Sequence, residues 1–130
     1  MSKPTVHVAL ALVSRERRWL VARRPLNVHL GGLWEFPGGK CEPGEEPAHA
    51  ALRELAEECA VRAVAERTLP TLVCDYGDRI VHITPVICRW LQGEGDALAS
   101  QACRWATIAE LRALEMPAIN ARILDAIEGQ

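Results

Sequence analysis

The segment from Pro47 to about Ala60 constrains this chain most, because it carries an apolar pattern and a cluster of carboxylates on different sides of one predicted helix. Pro47 suits the first turn of a helix. The apolar residues follow helical spacing: Ala48, Ala51, Leu52, Leu55 and Cys59. Residues advance by about 100° each along a helix, so three acidic residues share an arc of about 100° on another face: Glu54, Glu57 and Glu58. We therefore expect an amphipathic helix that packs its apolar face against a second layer.

Strand patterns precede this helix. Val6 to Val13 is almost wholly apolar and predicts a buried strand, and Trp19 to Ala22 predicts its hairpin partner. Leu33 to Phe36 predicts a further short extended segment, which Pro37-Gly38-Gly39 is expected to break sharply. The first third of the chain is thus predicted to be mainly β-structure.

Strands and helices are mixed after the helix. Leu69 to Tyr76 and Ile80 to Leu91 predict a second hairpin, in which Pro85 indicates an edge strand or a bulge. Arg104 to Ala106 predicts a brief strand.

Two short helices are predicted near the C-terminus. Thr107 and Glu110 have the spacing of a capping box, which predicts a helix from Thr107 to Leu114, and a last helix is predicted from Pro117 to Glu128. This order of elements, without repeats or linkers, predicts one α+β domain over residues 1–130.

Charge and cysteine content restrict the partners. The net charge is −2, so there is no broad basic field to hold a nucleic-acid polymer. The five cysteines form no CxxC pair, and an odd number cannot all pair within one chain, so we expect buried, inert, reduced thiols and a cytoplasmic protein. No segment resembles a signal peptide or reaches membrane-spanning length, and the sequence leaves a monomer or a homodimer open.

The glutamate cluster on the predicted helix has two interpretations. Carboxylates three and four positions apart repel each other unless a cation lies among them, and Mg²⁺ or Mn²⁺ prefers such oxygen ligands. The alternative is a solvated acidic face, which is the more common role of helical glutamates.

The register of the surrounding residues favours the metal interpretation. The chain resembles the Nudix box, G-x5-E-x7-R-E-U-x-E-E-x-G-U with U aliphatic, at eight of nine specified positions: Gly39, Glu45, Arg53, Glu54, Leu55, Glu57, Glu58 and Val61. Further segments resemble the MutT branch of the Nudix hydrolases: Arg23-Arg24, Leu33 to Lys40, Asp78-Arg79 and Pro117 to Asn120.

This resemblance implies a fold and a reaction. The fold is an α/β/α sandwich with a mixed sheet, and the cofactor is Mg²⁺ or Mn²⁺. The reaction is hydrolysis of a nucleoside triphosphate to a monophosphate and pyrophosphate, with 8-oxo-dGTP as the first substrate hypothesis.

The resemblance also implies roles in metal binding. The metal ligands are Gly38, Gly39, Glu54, Glu57 and Glu58. Arg53 orients the catalytic glutamates, although an ordinary i,i+4 pair with Glu57 is a competing role.

The substrate-binding residues implied in the same way are Arg23, favoured over Arg24, Phe36, Asp78, Arg79 and Asn120. Arg23 could be ordinary surface charge at a strand end, and Phe36 could belong to the core. The Asn120 amide can match a purine edge, but it could instead cap a helix.

Two positions depart from the family pattern. Ala60 replaces the box glycine, so the helix is expected to run on or end differently. Ala99 occupies the place of a loop glutamate of the MutT branch, and Glu94 or Asp96 are the candidates to replace it.

Two other functions remain open. A CTP or pyrimidine nucleotide pyrophosphatase would share the same segments, and Asn120 tilts the choice toward guanine. A non-catalytic nucleotide- or lesion-binding module would tolerate Ala60 and Ala99, but the retained glutamates oppose it.

Overall fold

The computed structural model describes residues 3–128, which form eight strands and three helices. The strands are β1 (Thr5–Arg15), β2 (Arg18–Arg23), β3 (Trp34–Glu35), β4 (Gly38–Lys40), β5 (Arg62–Thr68), β6 (Leu72–Asp75), β7 (Ile80–Gln92) and β8 (Ala102–Ala106). The helices are α1 (Pro47–Cys59), α2 (Ile108–Ala113) and α3 (Asn120–Glu128). None of the helices in this described part is long and apolar enough to span a membrane.

All eight strands join one mixed sheet around β1 and β7. These two strands run parallel, from the pair Thr5 and Ile80 to the pair Ser14 and Arg89. The path β3-β2-β1-β7-β5 forms the sheet, while β4 pairs with β1, β6 with β7 and β8 with β2. The predicted α+β class and mixed sheet are confirmed.

Helices cover both faces of the sheet. On one face, α1 packs its buried residues Ala50, Ala51, Leu55 and Cys59 with Ala9, Ala11 and Val13 of β1. On the other face, Leu12 of β1 packs with Leu111 of α2 and Ile123 of α3. Successive side chains of a strand point to opposite faces, so the continuous apolar run of β1 serves both layers of this α/β/α sandwich.

Several predicted boundaries changed. Gly38–Lys40 does not merely break the chain but forms β4, paired antiparallel with β1. β5 was not predicted from the sequence. Most of its residues are exposed, and exposed and half-buried positions alternate over only part of the strand. The last helix begins at Asn120 rather than at Pro117. The predicted capping box is confirmed, since Thr107 Oγ1 accepts from the Glu110 N–H and Glu110 Oε1 accepts from the Thr107 N–H.

Pro85 does not mark an edge strand, because β7 is paired on both sides. Its carbonyl accepts a hydrogen bond from the Leu69 N–H at 2.9 Å, between the end of β5 and the start of β6. The nitrogen and carbonyl of one strand residue point to the same side. The Pro85 nitrogen, which carries no hydrogen, therefore faces the gap between the end of β5 and the start of β6. No strand hydrogen bond from this nitrogen is required there.

Ala60 ends α1 in the conformation that the box glycine would adopt. Its φ of 55° and ψ of 36° are left-handed, and its N–H donates to Ala56 O at 3.0 Å. The expectation of a different helix end is therefore wrong. The helix ends at Cys59, and Ala60 adopts the left-handed conformation although its Cβ makes that conformation strained.

Candidate active site

Helix α1 presents its three glutamates to one side of a cavity of about 440 Å³, which we call the carboxylate cavity. It is lined by Glu54, Glu57 and Glu58, by Glu35 and Gly38 of the sheet, and by loop residues that include Arg24, Ala99 and Ser100. The predicted convergence of the glutamates is thus observed, and Glu35 is a fourth carboxylate beside them.

Glu58 shows the electrostatic character of this cavity. Burial, together with the hydrogen bond and negative charge of Glu54 and the charge of Glu35, raises the pKa of Glu58 to about 9, and a hydrogen bond from the Gly38 backbone only partly opposes this. A proton on Glu58 relieves the repulsion when no cation is near. A divalent cation would relieve it more completely, so the donor set fits a hard metal ion.

The two glycines allow close approaches of the backbone on two sides of β4. A Cβ on Gly39 would lie 2.6 Å from the carboxyl carbon of Glu54, so any side chain there would occupy the space of a glutamate carboxylate. A Cβ on Gly38 would instead clash with the carbonyl oxygen of Ala9 in β1. Gly39 therefore lets β4 lie close to α1, and Gly38 lets it lie close to β1.

Arg53 connects the loop before α1 to the glutamates. Its Nε and Nη2 donate to the two carboxylate oxygens of Glu45 at 2.9 Å each, and its Nη1 donates to Glu54 Oε1 at 3.0 Å. The competing i,i+4 contact with Glu57 is present but longer, at 3.4 Å. This fork-like pairing holds the pKa of Glu45 well below its usual range, and it positions Glu54.

Within residues 3–128, no group of three or more His, Cys, Asp or Glu side chains is arranged as a ready metal cage. Mg²⁺ does not require one, because it is commonly bound through one or two carboxylates together with substrate phosphates and water. The carboxylate cavity offers that type of site.

A second, mainly apolar cavity of about 290 Å³ adjoins the first, and we call it the apolar cavity. Arg24, Glu35 and Gly38 line both cavities. Phe36, only 1% exposed, and Asn120, only 4% exposed, both line the apolar cavity. Phe36 also packs in the core cluster of the α2 and α3 layer, which is the alternative role considered for it.

Asn120 is unusual in this cavity. Its Nδ2 is the one buried side-chain nitrogen or oxygen atom in the described part of the chain without a hydrogen-bond partner. A buried amide without a partner is unfavourable, so a ligand that accepts a hydrogen bond here would satisfy it.

Arg24, rather than the favoured Arg23, lies at the two cavities. Arg24 Nη1 contacts Glu35 Oε1 at 3.0 Å, where burial raises the pKa of Glu35 and Arg24 partly opposes the rise. Arg23 is exposed, donates from Nε to Gly32 O at 3.0 Å and lines neither cavity.

Sequence reasoning also missed Glu35. The alternation of Trp34, Glu35 and Phe36 was a partial signal, because it places Glu35 on the face opposite the two aromatic residues, but it does not say which element lies there. In the structure the aromatic residues pack with the α2 and α3 layer.

Of the two predicted substrate-binding residues Asp78 and Arg79, only Arg79 lines the apolar cavity. Arg79 lines the apolar cavity with Tyr76, and its guanidinium lies 5.2 Å from the Tyr76 ring centroid. His29 meets the same ring edge-on at 5.5 Å. Asp78 contacts Arg79 Nη1 at 3.2 Å but does not line the cavity, so it can act only through Arg79.

The loop before β8 does not supply a replacement for the carboxylate absent at Ala99. Glu94 pairs with Arg15 Nη1 at 3.1 Å, and neither Glu94 nor Asp96 lines the carboxylate cavity. Ala99 itself lines this cavity, at the position where the MutT branch has a loop glutamate. Among the residues that line this cavity, Glu35 is the additional carboxylate.

A mixed sheet between helices, with glutamates gathered at the end of one helix, is the frame of a metal-dependent hydrolase of phosphate compounds. The NUDIX domain model matches residues 8–126, and the chain belongs to the NUDIX family. Members of this family generally use divalent metal ions.

Individual relatives support the MutT-like assignment. A Proteus vulgaris protein named 8-oxo-dGTP diphosphatase is 42% identical over 85 residues, covering 65% of this chain and 74% of that protein. An Escherichia coli CTP pyrophosphohydrolase is 33% identical over 118 residues, covering 91% and 86%. The solution structure of the E. coli ORF135 protein matches with a TM-score of 0.84 at 27% identity, covering 98% of this chain and 91% of that one.

Proposed function

We propose that this protein is a nucleoside triphosphate diphosphatase that uses Mg²⁺ or Mn²⁺ and acts on 8-oxo-dGTP. With one water, the reaction yields 8-oxo-dGMP and pyrophosphate. The observation that carries the proposal is the adjacency of the carboxylate cavity to an apolar cavity with an unpaired amide, Asn120. A nucleotide has these two halves: a polyanion that needs a cation, and a flat base that needs apolar walls and a polar edge.

Glu54, Glu57 and Glu58, with backbone at Gly38 and Gly39, would hold the metal. When bound, the metal neutralises the phosphates and lowers the pKa of a coordinated water. Arg53 keeps Glu54 in place through its pairing with Glu45. Glu35 adds a carboxylate at the boundary of the two cavities, and Arg24 beside it supplies a positive charge for phosphate.

The base would enter the apolar cavity. Phe36, Tyr76 and Arg79 would line its walls, and Asn120 would offer its unpaired N–H to an acceptor on the base edge. The free thiols support a reducing compartment such as the cytoplasm, and the net charge of −2 supports a nucleotide rather than a nucleic-acid polymer as substrate.

The second candidate is a CTP pyrophosphohydrolase, which is favoured by the relative that covers 91% of the chain. The base alone separates the two candidates. The carboxylate cavity serves either triphosphate, whereas the amide of Asn120 discriminates between base edges.

The test is hydrolysis of 8-oxo-dGTP, dGTP and CTP with Mg²⁺, with products separated by ion-exchange chromatography. We expect pyrophosphate and the monophosphate, with the highest kcat/KM for 8-oxo-dGTP. A higher kcat/KM for CTP would support the second candidate, and full activity in excess chelator would reject both.

Glu58→Gln tests the carboxylate cavity, because it removes one charge and keeps the side-chain size. We expect kcat to fall by about 100-fold or more. Glu66→Gln, on exposed strand β5, is the matched control and should keep wild-type turnover. Equal turnover in both variants would make the glutamates a solvated face.

A further inference from the structure

Two cysteines from distant parts of the chain meet beside the carboxylate cavity. Cys59 is the last residue of α1 and is fully buried, whereas Cys103 lies in β8 and is partly exposed. Their Sγ atoms are 3.6 Å apart although the residues are 44 positions apart. Within residues 3–128 this is the one pair of thiols at hydrogen-bonding distance, so the contact singles them out among the five cysteines.

The surroundings favour reaction at Cys103. Its Sγ lies 3.8 Å from Ser100 Oγ and donates to Asp96 O at 3.5 Å. The hydrogen bond shared with the Cys59 thiol and the one with Ser100 lower the pKa of Cys103 to about 7, although burial and the negative charge of Asp96 oppose this. The thiolate is the reactive form, and Cys103 is the sulfur that solvent can reach.

We propose that Cys59 and Cys103 are an oxidation site that forms a reversible intramolecular disulfide when the protein meets a hydroperoxide. The Cys103 thiolate attacks the hydroxyl oxygen of the peroxide, the O–O bond breaks to leave a sulfenic acid, and the departing hydroxide or alkoxide takes up a proton from solvent to become water or an alcohol. The Cys59 sulfur then attacks the sulfenic sulfur, the S–O bond breaks, and the hydroxyl leaves as water with the Cys59 proton. The peroxide is reduced, and the two thiols are oxidised to the disulfide.

The geometry permits this step with small movement. The sulfurs must close from 3.6 Å to about 2.05 Å, which side-chain rotation of two facing cysteines can provide. The disulfide would join the C-terminal end of α1 to β8. The loop that precedes β8 already forms hydrogen bonds with this end of the helix. The Asp96 N–H donates to Cys59 O at 2.8 Å, and the Leu98 N–H donates to Glu58 O at 3.0 Å.

Such a link would have two consequences. It would trap the sulfenic acid before it oxidises further, because the resolving thiol is already in contact. It would also constrain the unfolded chain, so the oxidised protein should be more resistant to heat. Neither consequence depends on the substrate, so this inference stands apart from the proposed function.

The test is peptide mapping of the reduced whole protein after treatment with a small excess of hydrogen peroxide and alkylation of the remaining thiols. We expect a cross-linked Cys59–Cys103 peptide that lacks two hydrogen atoms and is cleaved by dithiothreitol. The melting temperature should rise by about 5 °C on oxidation and return on reduction.

Cys103→Ser should abolish the cross-linked peptide and the temperature shift. Cys74→Ser, at a partly exposed cysteine of β6, is the control and should retain both. Peptide mapping of the wild-type protein tests for the Cys59–Cys103 disulfide even if a variant folds poorly. Sulfinic or sulfonic acid at Cys103 without a cross-link, or a link to any other cysteine, would overturn the proposal.

Discussion

At the scale of single residues, the site depends on side chains whose polar groups are buried without full compensation. Asn120 keeps an unpaired Nδ2 at 4% exposure, and Glu58 is held among like charges. A buried polar group without a partner lowers the free energy of unfolding by about 1–3 kcal/mol, so stability alone does not favour such groups. Their concentration around the two cavities is consistent with groups reserved for a ligand.

Asn120→Ala should reduce base selectivity. The variant removes the unpaired N–H of a residue that lines the apolar cavity, so kcat/KM should fall more for 8-oxo-dGTP than for CTP. The ratio of the two should narrow by about 5- to 150-fold, which corresponds to about 1–3 kcal/mol. Steady-state kinetics with both nucleotides measures this ratio.

Asn27→Ala is the control for this measurement, because Asn27 is exposed in the loop after β2. The melting temperature separates the two roles considered for Asn120. Loss of an N-cap would lower it and leave the ratio unchanged, and that result would reject the base-reading role.

At the scale of elements, α1 is held by an ion pair to the loop before it and by a strained residue at its C-terminal end. Arg53 ties the helix to Glu45 of the preceding loop, while Ala60 ends it in a left-handed conformation. The second feature is strained, because Cβ crowds the neighbouring carbonyl when φ is positive. The helix nevertheless ends at Cys59, since the next residues must enter β5 and the loop before β8 docks on the Cys59 carbonyl.

Ala60→Gly should therefore stabilise the protein. Removal of the strained Cβ should raise the free energy of unfolding by about 1 kcal/mol. Urea denaturation followed by circular dichroism measures the change. Ala56→Gly, at an exposed position inside the same helix, is the matched control and should lower it by about 0.5–1 kcal/mol. Equal losses in the two variants would contradict the strain at Ala60.

At the scale of the whole molecule, the sheet brings together charges that are distant in sequence. β3 supplies Glu35, and α1 supplies three glutamates to the same cavity. Burial, the hydrogen bond and charge of Glu54, and the charge of Glu35 raise the pKa of Glu58 from 4.5 to about 9. Between these values the folded protein binds a proton that the unfolded chain releases, so stability decreases as pH rises through this range when no cation is bound.

Mg²⁺ should reverse this loss. A cation binds the carboxylate rather than the carboxylic acid, so the rise in melting temperature on adding Mg²⁺ should increase from about pH 5 to about pH 8.5. Thermal denaturation across this range, with and without Mg²⁺, measures the effect. In Glu58→Gln the pH dependence should largely disappear. A rise that is the same at every pH in the wild-type protein would contradict the assignment of Glu58.

Elements whose pattern is local could be predicted from the sequence. The helix over Pro47–Cys59, the hairpin of β1 and β2, and the capping box at Thr107 follow from periodicity and from side-chain bonds between near neighbours. The convergence of Glu54, Glu57 and Glu58 was predictable for the same reason, since helical geometry sets the angle between them.

Which distant groups meet these glutamates depends on how the strands pair in the folded protein. Arg24 rather than Arg23 lies at the cavities because the path of the chain after β2 turns one side chain inward and leaves the other exposed. Glu35 reaches the carboxylate cavity, and Cys103 reaches Cys59, through the pairing of β3 and β8 with β2. Strand pairing of this kind is nonlocal: hydrogen bonds and packing between segments far apart in sequence set it, and no local periodicity encodes the partner.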